Sequence, residues 1–175
     1  MKLDLIDINS FVSRSFSIWK DNWMLLTSGS FEEKKFNCMT ISWGSMGIMW
    51  NKPFAQVAVR PTRYTFQFIN EYPDFTLCVF PEEFRPQLQE LGSRSGRSMD
   101  KVFQSGLTPV KAVETAAPVY EEAELVIECR KSYWQDYDPD HFLDTQINTH
   151  YKDNDYHRIF FGEILSIRGV PQYHL

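Results

Sequence analysis

The sequence predicts an α+β fold that is mainly β, a β-barrel with peripheral helices. Predicted strands outnumber predicted helices, and they are spread along the whole chain instead of alternating with helices as in βαβ units. The chain also contains 14 Phe, 8 Tyr and 5 Trp, which supply a large ring surface for a core. A length of 175 residues fits one domain, which we expect to span residues 1–175.

The first part of the chain is predicted to hold a helix followed by two strands. In the helix, Phe11, Ile18 and Trp19 share one face, so the apolar spacing is that of an amphipathic helix. A turn around Gly29 and the charged residues after it joins the two strands. The expected boundaries are 9–21 for the helix and 23–28 and 36–43 for the strands.

A third strand, over 54–60, and a second helix, over 63–72, follow after Pro53. The strand alternates, with one face made of the branched or small side chains Ala55, Val57 and Val59 and the other of small or polar ones. Thr62 is a good N-cap for the helix, in which Phe66 and Ile69 are spaced to face inward.

The second half is predicted to contain a short buried strand, two helices and two long strands. A loop rich in Gly, Ser and Arg, at 92–98, separates the two helices. An excursion rich in Asp, Pro and Asn separates the long strands. The expected boundaries are 75–80 for the short strand, 82–91 and 99–104 for the helices, and 123–134 and 156–168 for the long strands.

Charge and hydropathy exclude several classes of partner. The net charge is −5 and the pI is about 5.4, so we expect no nucleic acid partner. The longest uncharged run, 36–51, is too short and too polar to span a bilayer, and Asp4 and Asp7 lie where a secretory signal would be basic and apolar. We therefore expect a cytoplasmic protein without a membrane partner.

The charge is unevenly distributed along the chain. Residues 114–163 carry 12 acids and 4 bases, whereas the remainder carries 11 acids and 14 bases. An anionic ligand is therefore expected to bind the residues outside this acidic stretch.

The cysteines and histidines do not form a recognisable metal or redox motif. Cys38, Cys78 and Cys129 each lie in an apolar run, which predicts buried free thiols. The sequence contains no C-x-x-C, and the four histidines are not paired at metal-ligand spacing. We expect no metal site.

The candidate site is the strand, loop and helix start between Asn37 and Thr65. Near the helix start, hydroxyl, guanidinium and free amide groups are predicted to converge as a cradle for one phosphate, with Arg60, Thr62, Arg63 and Thr65 as its side chains. The stretch 37–43 offers hydrogen bonds for a polar planar ring, with Trp43 as an apolar wall. The alternatives are a capped helix with solvated arginines, an edge strand whose Thr40 and Ser42 face water, and a loop 93–98 that is only a mobile surface loop.

Several segments, in order along the chain, resemble the flavin reductase-like family, in particular its flavoredoxin branch. They are N-C-M-T-I-S-W-G at 37–44, V-R-P-T-R-Y-T at 59–65, S-R-S-G-R at 93–97 with Asp100 and Lys101, G-L-T-P at 106–109, E-L-V-I-E-C-R-K at 124–131 and D-Y-H-R-x-x-x-G-E-I at 155–164. The resemblance covers most of the chain. It implies an FMN-binding split barrel, usually a homodimer with the flavin near the subunit interface.

The resemblance also implies roles for individual residues. The isoalloxazine ring and ribityl chain would be bordered by Asn37, Met39, Thr40, Ile41, Ser42 and Trp43. The phosphate would be held by Arg60, Thr62, Arg63 and Thr65. The loop over 93–101 would close over the flavin through Ser93, Arg97 and Lys101.

His157 is the candidate catalytic residue, because flavin reductases begin their last long strand with Gly-Asp-His and its His is associated with the nicotinamide. His157 keeps the family's offset to Gly162, but Tyr156 stands between it and Asp155. Its role would be to position the nicotinamide rather than to act as acid or base. The alternative is an exposed strand residue.

The function predicted from this resemblance is an FMN-dependent oxidoreductase that passes electrons from NAD(P)H to flavin or another small acceptor. The alternative is a flavoredoxin-like FMN electron carrier between redox partner proteins, without a nicotinamide site of its own. A third, simpler possibility is a ligand-binding barrel that has lost the flavin.

Overall fold

The structure, a computed structural model, describes residues 2–175. In its first half the strands are β1 (Asp4–Leu5), β2 (Met24–Ser30), β3 (Lys35–Ile41), β4 (Gly44–Met49) and β5 (Lys52–Val59), and the helices are α1 (Ser17–Lys20) and α2 (Tyr64–Glu71). In its second half the strands are β6 (Asp74–Val79), β7 (Pro109–Val110), β8 (Val119–Tyr120), β9 (Leu125–Asp136) and β10 (Arg158–Gly169), and the helices are α3 (Arg85–Ser93) and α4 (Lys101–Ser105).

Strands β7 and β8 pair with each other, and the other eight described strands form one antiparallel sheet. Its order is β3-β2-β6-β9-β10-β5-β4, and β1 adds to β10. The terminal strands β3 and β4 are separated in sequence by only Ser42 and Trp43, so these two residues connect the two ends of the sheet. The predicted α+β, mainly β class with peripheral helices is confirmed.

Apolar side chains pack on both faces of the sheet. The interior holds residues such as Leu26, Val57 and Phe160, and Ile69 of α2 packs among them. The outer face of β2, β3 and β6 is covered by α3 and α4 through Leu88, Leu91 and Val102. Helices α2 and α3 therefore both pack against β3, which places their ends beside its open edge.

The three cysteines are buried free thiols, as predicted. Burial raises the pKa of each of them, so they stay protonated and act as small apolar core residues. Across residues 2–175, no group of three or more His, Cys, Asp or Glu side chains is arranged to hold a metal ion.

Most predicted elements occur within two or three residues of their expected positions, but the helix predicted over 9–21 is wrong. The structure has a 3₁₀ turn at Ile8–Ser10 and the four-residue α1 instead. The backbone between them bonds to the chain's C-terminal segment: Val12 N–H donates to Tyr173 O at 3.0 Å, and Leu175 N–H donates to Ser10 O at 2.9 Å. These long-range bonds replace the helical ones.

Three smaller differences have local causes. Trp23 has a φ of 55°, which delays the start of β2 to Met24. Thr62 is not the N-cap of α2; Arg63 occupies that position, without a side-chain cap. Strand β4 was not predicted, since its two glycines obscure the pattern, and Gly44 is required there because a Cβ would lie 2.3 Å from the Trp19 ring.

No helix within residues 2–175 combines the length and the apolar character that crossing a bilayer requires.

Candidate functional site

The open edge of β3 is the backbone feature on which the candidate site is built. Within the described chain β3 pairs with β2 on one side, and on the other side Cys38 O accepts a hydrogen bond from Thr65 Oγ1 at 2.9 Å. Because the N–H and C=O of one residue point to the same side and alternate along a strand, Thr40 directs its backbone groups to that open side as well. The edge therefore offers donors and acceptors to a ligand lying along it.

One cleft lies at the C-terminal end of this edge, and we call it the aromatic cleft. It has a volume of about 220 Å³ and is lined by Met39, Thr40, Ile41, Ser42, Trp43, Ala58, Arg60 and His157. Trp43 is 43% exposed, and the centroid of its ring lies 4.9 Å from that of His157. The sequence-predicted residues 39–43 are therefore brought together with His157, which is distant in sequence.

His157 is buried, with 8% of its surface exposed, so the alternative of an exposed strand residue is wrong. Its Nδ1 lies 2.8 Å from the hydroxyl of Tyr151, whose pKa is raised by burial. Burial, with a smaller contribution from the Arg60 charge, lowers the pKa of His157 to about 4, against the opposing effect of Asp155. The imidazole is therefore neutral at pH 7, and it can position a ligand by hydrogen bonding without carrying a charge.

Arg60 forms an ion pair with Asp155, in which one guanidinium nitrogen contacts both carboxylate oxygens. Asp155 lies near the end of the segment that connects β9 to β10. Arg60 Nη1 lies 2.8 and 2.7 Å from the two carboxylate oxygens, and Nη2 donates to His150 O at 2.7 Å. The guanidinium also lies over the Tyr151 ring, at 5.1 Å from its centroid. These hydrogen bonds hold the pKa of Asp155 below its usual value.

A second cleft lies beside the start of α2, and we call it the basic cleft. It has a volume of about 180 Å³ and is lined by Asn37, Thr62, Arg63, Tyr64, Thr65, Ser93, Arg94, Ser95, Gly96, Arg97 and Lys101. Four of these side chains are cationic and none is acidic. The amides of Tyr64 and Thr65 begin α2 and lack partners within the helix, so they add partial positive charge.

The cations of the basic cleft are held in place by backbone carbonyl groups. Arg63 Nη2 donates to Gly92 O at 2.6 Å, and Arg97 Nη1 donates to Thr62 O at 3.1 Å. The buried Lys101 donates through Nζ to Leu91 O at 2.8 Å and to Arg94 O at 3.2 Å. Burial lowers the pKa of both Arg63 and Lys101 because it disfavours their charged forms. A bound anion would stabilise those charged forms.

The structure divides the predicted phosphate cradle. Arg63 and Thr65 line the basic cleft with Thr62, whereas Arg60 lines the aromatic cleft, so the two arginines do not line the same cleft. The reason is the Asp155 carboxylate, which holds the Arg60 guanidinium and approaches the Thr62 hydroxyl at 3.5 Å.

Asn37 and Thr65 are buried and link β3 to α2. The Thr65 hydroxyl accepts from Asn37 Nδ2 at 2.7 Å while it donates to Cys38 O. The loop after α3 passes so close to this link that a Cβ on Gly96 would lie 2.3 Å from Asn37 Oδ1. The sequence-predicted residues Ser93, Arg97 and Lys101 reach the basic cleft because Gly96 permits this approach.

Sequence reasoning missed Tyr151, His150 and Asp155, which shape the aromatic cleft, and Arg94 and Tyr64, which line the basic one. The first three lie in or beside the excursion that was interpreted only as a connection between strands. Its aromatic content was a usable signal, because Phe142, Tyr151 and Tyr156 form one ring cluster against His157.

Comparisons with known proteins point to one family. The model of the flavin reductase-like domain matches residues 20–173. Among solved structures, the flavoredoxin from Methanosarcina acetivorans has 22% identity and a TM-score of 0.67, covering 97% of this chain and 74% of that one. The flavoredoxin of Desulfovibrio vulgaris (Miyazaki F) has 20% identity and a TM-score of 0.66, covering 98% and 78%.

An NADH:FAD oxidoreductase from Streptomyces globisporus has 17% identity and a TM-score of 0.64, covering 86% of this chain and 76% of that one. No curated protein sequence matches this chain. At these identities the structural likeness establishes the split-barrel fold, and the domain match establishes the family.

Proposed function

This chain belongs to the flavin reductase-like family, and from that premise we propose that it is an FMN-binding oxidoreductase using a reduced nicotinamide cofactor as electron donor. The acceptor would be a flavin or another small molecule. The observation that carries the proposal is the placement of an acid-free basic cleft and an aromatic cleft on one strand edge. This arrangement suits a ligand with a phosphate at one end and a planar ring at the other.

The residues of the basic cleft fit the phosphate of FMN. Arg63, Arg94, Arg97 and Lys101 supply positive charge, and the first amides of α2 supply hydrogen-bond donors. Arg94 is also paired with Glu90 at 2.6 Å, which leaves three cations without an acidic partner in the described chain. A phosphate dianion would therefore be more than neutralised here.

The aromatic cleft fits the ring end of the flavin. The Thr40 backbone offers a donor and an acceptor on the open edge, and Trp43 and Met39 supply apolar walls. A bound flavin would supply the hydride and electron chemistry, while the chain binds it, orients it and limits its contact with water.

His157 is proposed to position the nicotinamide rather than to transfer a proton. At neutral pH its ring is uncharged, and we assign the tautomer in which the Tyr151 hydroxyl donates to Nδ1 and the ring proton is on Nε2. From there Nε2–H can donate to a carboxamide oxygen. Asp155 and Arg60 neutralise each other, so neither charge disfavours the approach of a neutral nicotinamide ring.

The test is anaerobic mixing of the purified, flavin-loaded protein with NADH and, separately, with NADPH. If the proposal holds, the flavin band near about 450 nm bleaches within turnover times with at least one of them. The His157→Gln variant should bleach more slowly while it retains the flavin. A band that persists with both nucleotides, in protein that still bleaches with dithionite, contradicts the nicotinamide-dependent function.

A second candidate function is electron transfer between redox proteins, as in the alternative predicted from the sequence. Two observations favour it: two similar solved structures are described as flavoredoxins, and Tyr156 interrupts the family's Gly-Asp-His. It is distinguished by the same experiment, because a carrier keeps its colour with nicotinamides and loses it with a reduced partner reductase.

The chain is also proposed to form a homodimer through an exposed apolar face at the β4–β5 turn. Ile48, Met49 and Trp50 of this turn are exposed, and Trp50 packs edge-on to Tyr133 of β9 with ring centroids 6.0 Å apart. A contiguous apolar face on an edge strand is a typical subunit contact.

A further inference from the structure

The excursion between β9 and β10, residues 137–156, has an aromatic cluster of its own. Phe142 stacks on Tyr151 with ring centroids 6.1 Å apart, and Tyr156 lies 4.7 Å from the same ring. The backbone around them forms two 3₁₀ turns, and Leu143, next to Phe142, is fully exposed. The excursion is therefore held in shape largely by its own side chains.

The excursion is joined to the barrel at the rim of the aromatic cleft. Within the described chain, the hydrogen bonds and ring contacts that link it to the barrel reach Trp43, Arg60, Thr62 and His157 and no other residue. The His150 ring, for example, meets Trp43 edge-on with centroids 5.6 Å apart. Loss of the contacts at this rim would therefore release the excursion as a unit.

Arg60 makes the strongest of these contacts. Its Nη1 pairs with the Asp155 carboxylate, its Nη2 donates to His150 O at 2.7 Å, and its guanidinium lies 5.1 Å from the centroid of the Tyr151 ring. A planar guanidinium that already serves two acceptors of the excursion cannot also reach a phosphate in the basic cleft. Its place in the structure thus differs from the phosphate-binding role that the family resemblance implies for it.

The excursion also determines the surroundings of His157. It carries Tyr151, whose hydroxyl lies 2.8 Å from Nδ1 of the imidazole, and it helps to bury the ring, which Trp43 contacts as well. The charged groups that face the imidazole are Arg60 and Asp155, which are paired with each other. Without the excursion His157 would lose its Nδ1 partner and much of its burial.

We propose that Arg60 is a positioning residue that fastens the excursion over the aromatic cleft through Asp155 and His150 O, and that the fastened excursion orients the His157 ring through Tyr151. This inference rests on the proposed function only for its purpose, because a nicotinamide is what the oriented ring would position. While it is fastened, the excursion limits the contact of water with His157. When it is released, the ring end of the site is open.

The test is an NMR titration of the His157 imidazole in the full-length protein and in Asp155→Asn, with His157→Gln to identify the resonance. The charge effect and the release of the excursion have opposite signs in this variant. Loss of the carboxylate leaves the Arg60 charge uncompensated, which would lower the pKa of His157 further. Release of the excursion exposes the ring to water, so we expect its pKa to rise from about 4 to above about 5.

Two control variants and a second measurement accompany the titration. Asp155→Glu keeps a carboxylate and should retain the wild-type pKa of His157. Asp153→Asn, at an exposed acid of the same excursion, should retain it as well. In Asp155→Asn, hydrogen exchange followed by mass spectrometry should become at least about tenfold faster across 137–156 and stay unchanged in β9.

The outcomes separate this inference from the function on which its purpose rests. A His157 pKa that stays near 4 or falls in Asp155→Asn, or hydrogen exchange across 137–156 that is no faster, overturns the inference. Neither measurement uses a flavin or a nicotinamide. Failure of the flavin-loaded protein to bleach with both nucleotides overturns the proposed function and leaves the fastening of the excursion standing.

Discussion

Acidification should destabilise the protein through His157 by an amount that the structure defines. In the folded chain burial lowers the pKa of this imidazole to about 4 from its ordinary 6.5. Between those two values the unfolded chain binds a proton at this position and the folded chain does not. Stability therefore rises with pH through this window, and it is lost as the pH falls from about 6.5 toward 4.

The size of the effect follows from the two pKa values. A difference between 6.5 and about 4 corresponds to about 3 kcal/mol when fully developed, which requires a pH below the folded value. At pH 4.5 most of it is present, and linkage gives a loss of about 2.5 kcal/mol relative to pH 7.5. His157 is buried, so solvent screening reduces this value little.

Urea unfolding at pH 7.5 and pH 4.5, followed by tryptophan fluorescence, measures the loss. The wild type should lose about 2.5 kcal/mol more than His157→Gln, whose amide can still hydrogen bond to Tyr151 but does not titrate. His141→Gln, at a largely exposed histidine, should behave as the wild type. Carboxylates remote from His157 contribute equally to all three proteins and cancel, whereas Asp155 interacts with His157 and its contribution is part of the measured difference.

The reasoning would be refuted if His157→Gln had the same pH dependence as the wild type. An NMR titration of the imidazole provides an independent check, because a transition for His157 at pH 6 or above contradicts the effect of burial on which the argument depends.

Three further predictions concern the flavin site and the subunit contact. Arg63→Ala should weaken FMN binding by roughly 1.5–3 kcal/mol, the scale of a charge-assisted hydrogen bond, in a fluorescence titration where Arg14→Ala has no effect. Gly96→Ala should lower the affinity for FMN in the same titration, because its Cβ would meet Asn37 Oδ1 at 2.3 Å and displace the loop from the basic cleft; unchanged affinity would mean that the loop does not contribute. Trp50→Asn should convert the proposed dimer into a monomer in analytical ultracentrifugation without unfolding it, since Asn suits the φ of 52° at this turn position; a variant that remains dimeric would place the interface elsewhere.

The sequence predicted well the elements whose apolar spacing is the same whichever segment their backbone bonds to. The strand predicted over 156–168 is β10 (Arg158–Gly169), and the helix predicted over 63–72 is α2 with its ends shortened. The helix predicted over 9–21 failed because its apolar spacing is real, with Ile18 and Trp19 buried, but its backbone bonds to residues near 175. Periodicity reports which side chains are buried and not which backbone groups pair.

The same limit explains which parts of the candidate site could be anticipated. Arg63 and Thr65 were grouped together because both lie at the start of α2, whereas Asn37, which was assigned to the ring end, lines the same cleft as they do. The separation of Arg60 from Arg63 depends on Asp155, which is 95 positions away from Arg60. No pattern within the block contains that information.

The Arg60–Asp155 pair changes which residues of the site attract a phosphate. The sequence prediction placed the ring along 37–43 and the phosphate at the helix start, with both arginines attracting it. In the structure Asp155 cancels the charge of Arg60 and His157 is neutral, so the aromatic cleft carries little net charge. The basic cleft keeps its cations, and none of the side chains that line it is acidic. Because an anion gains free energy only at the second of these, the charge distribution orients a phosphorylated ring compound along β3, with its ring beside Trp43 and His157.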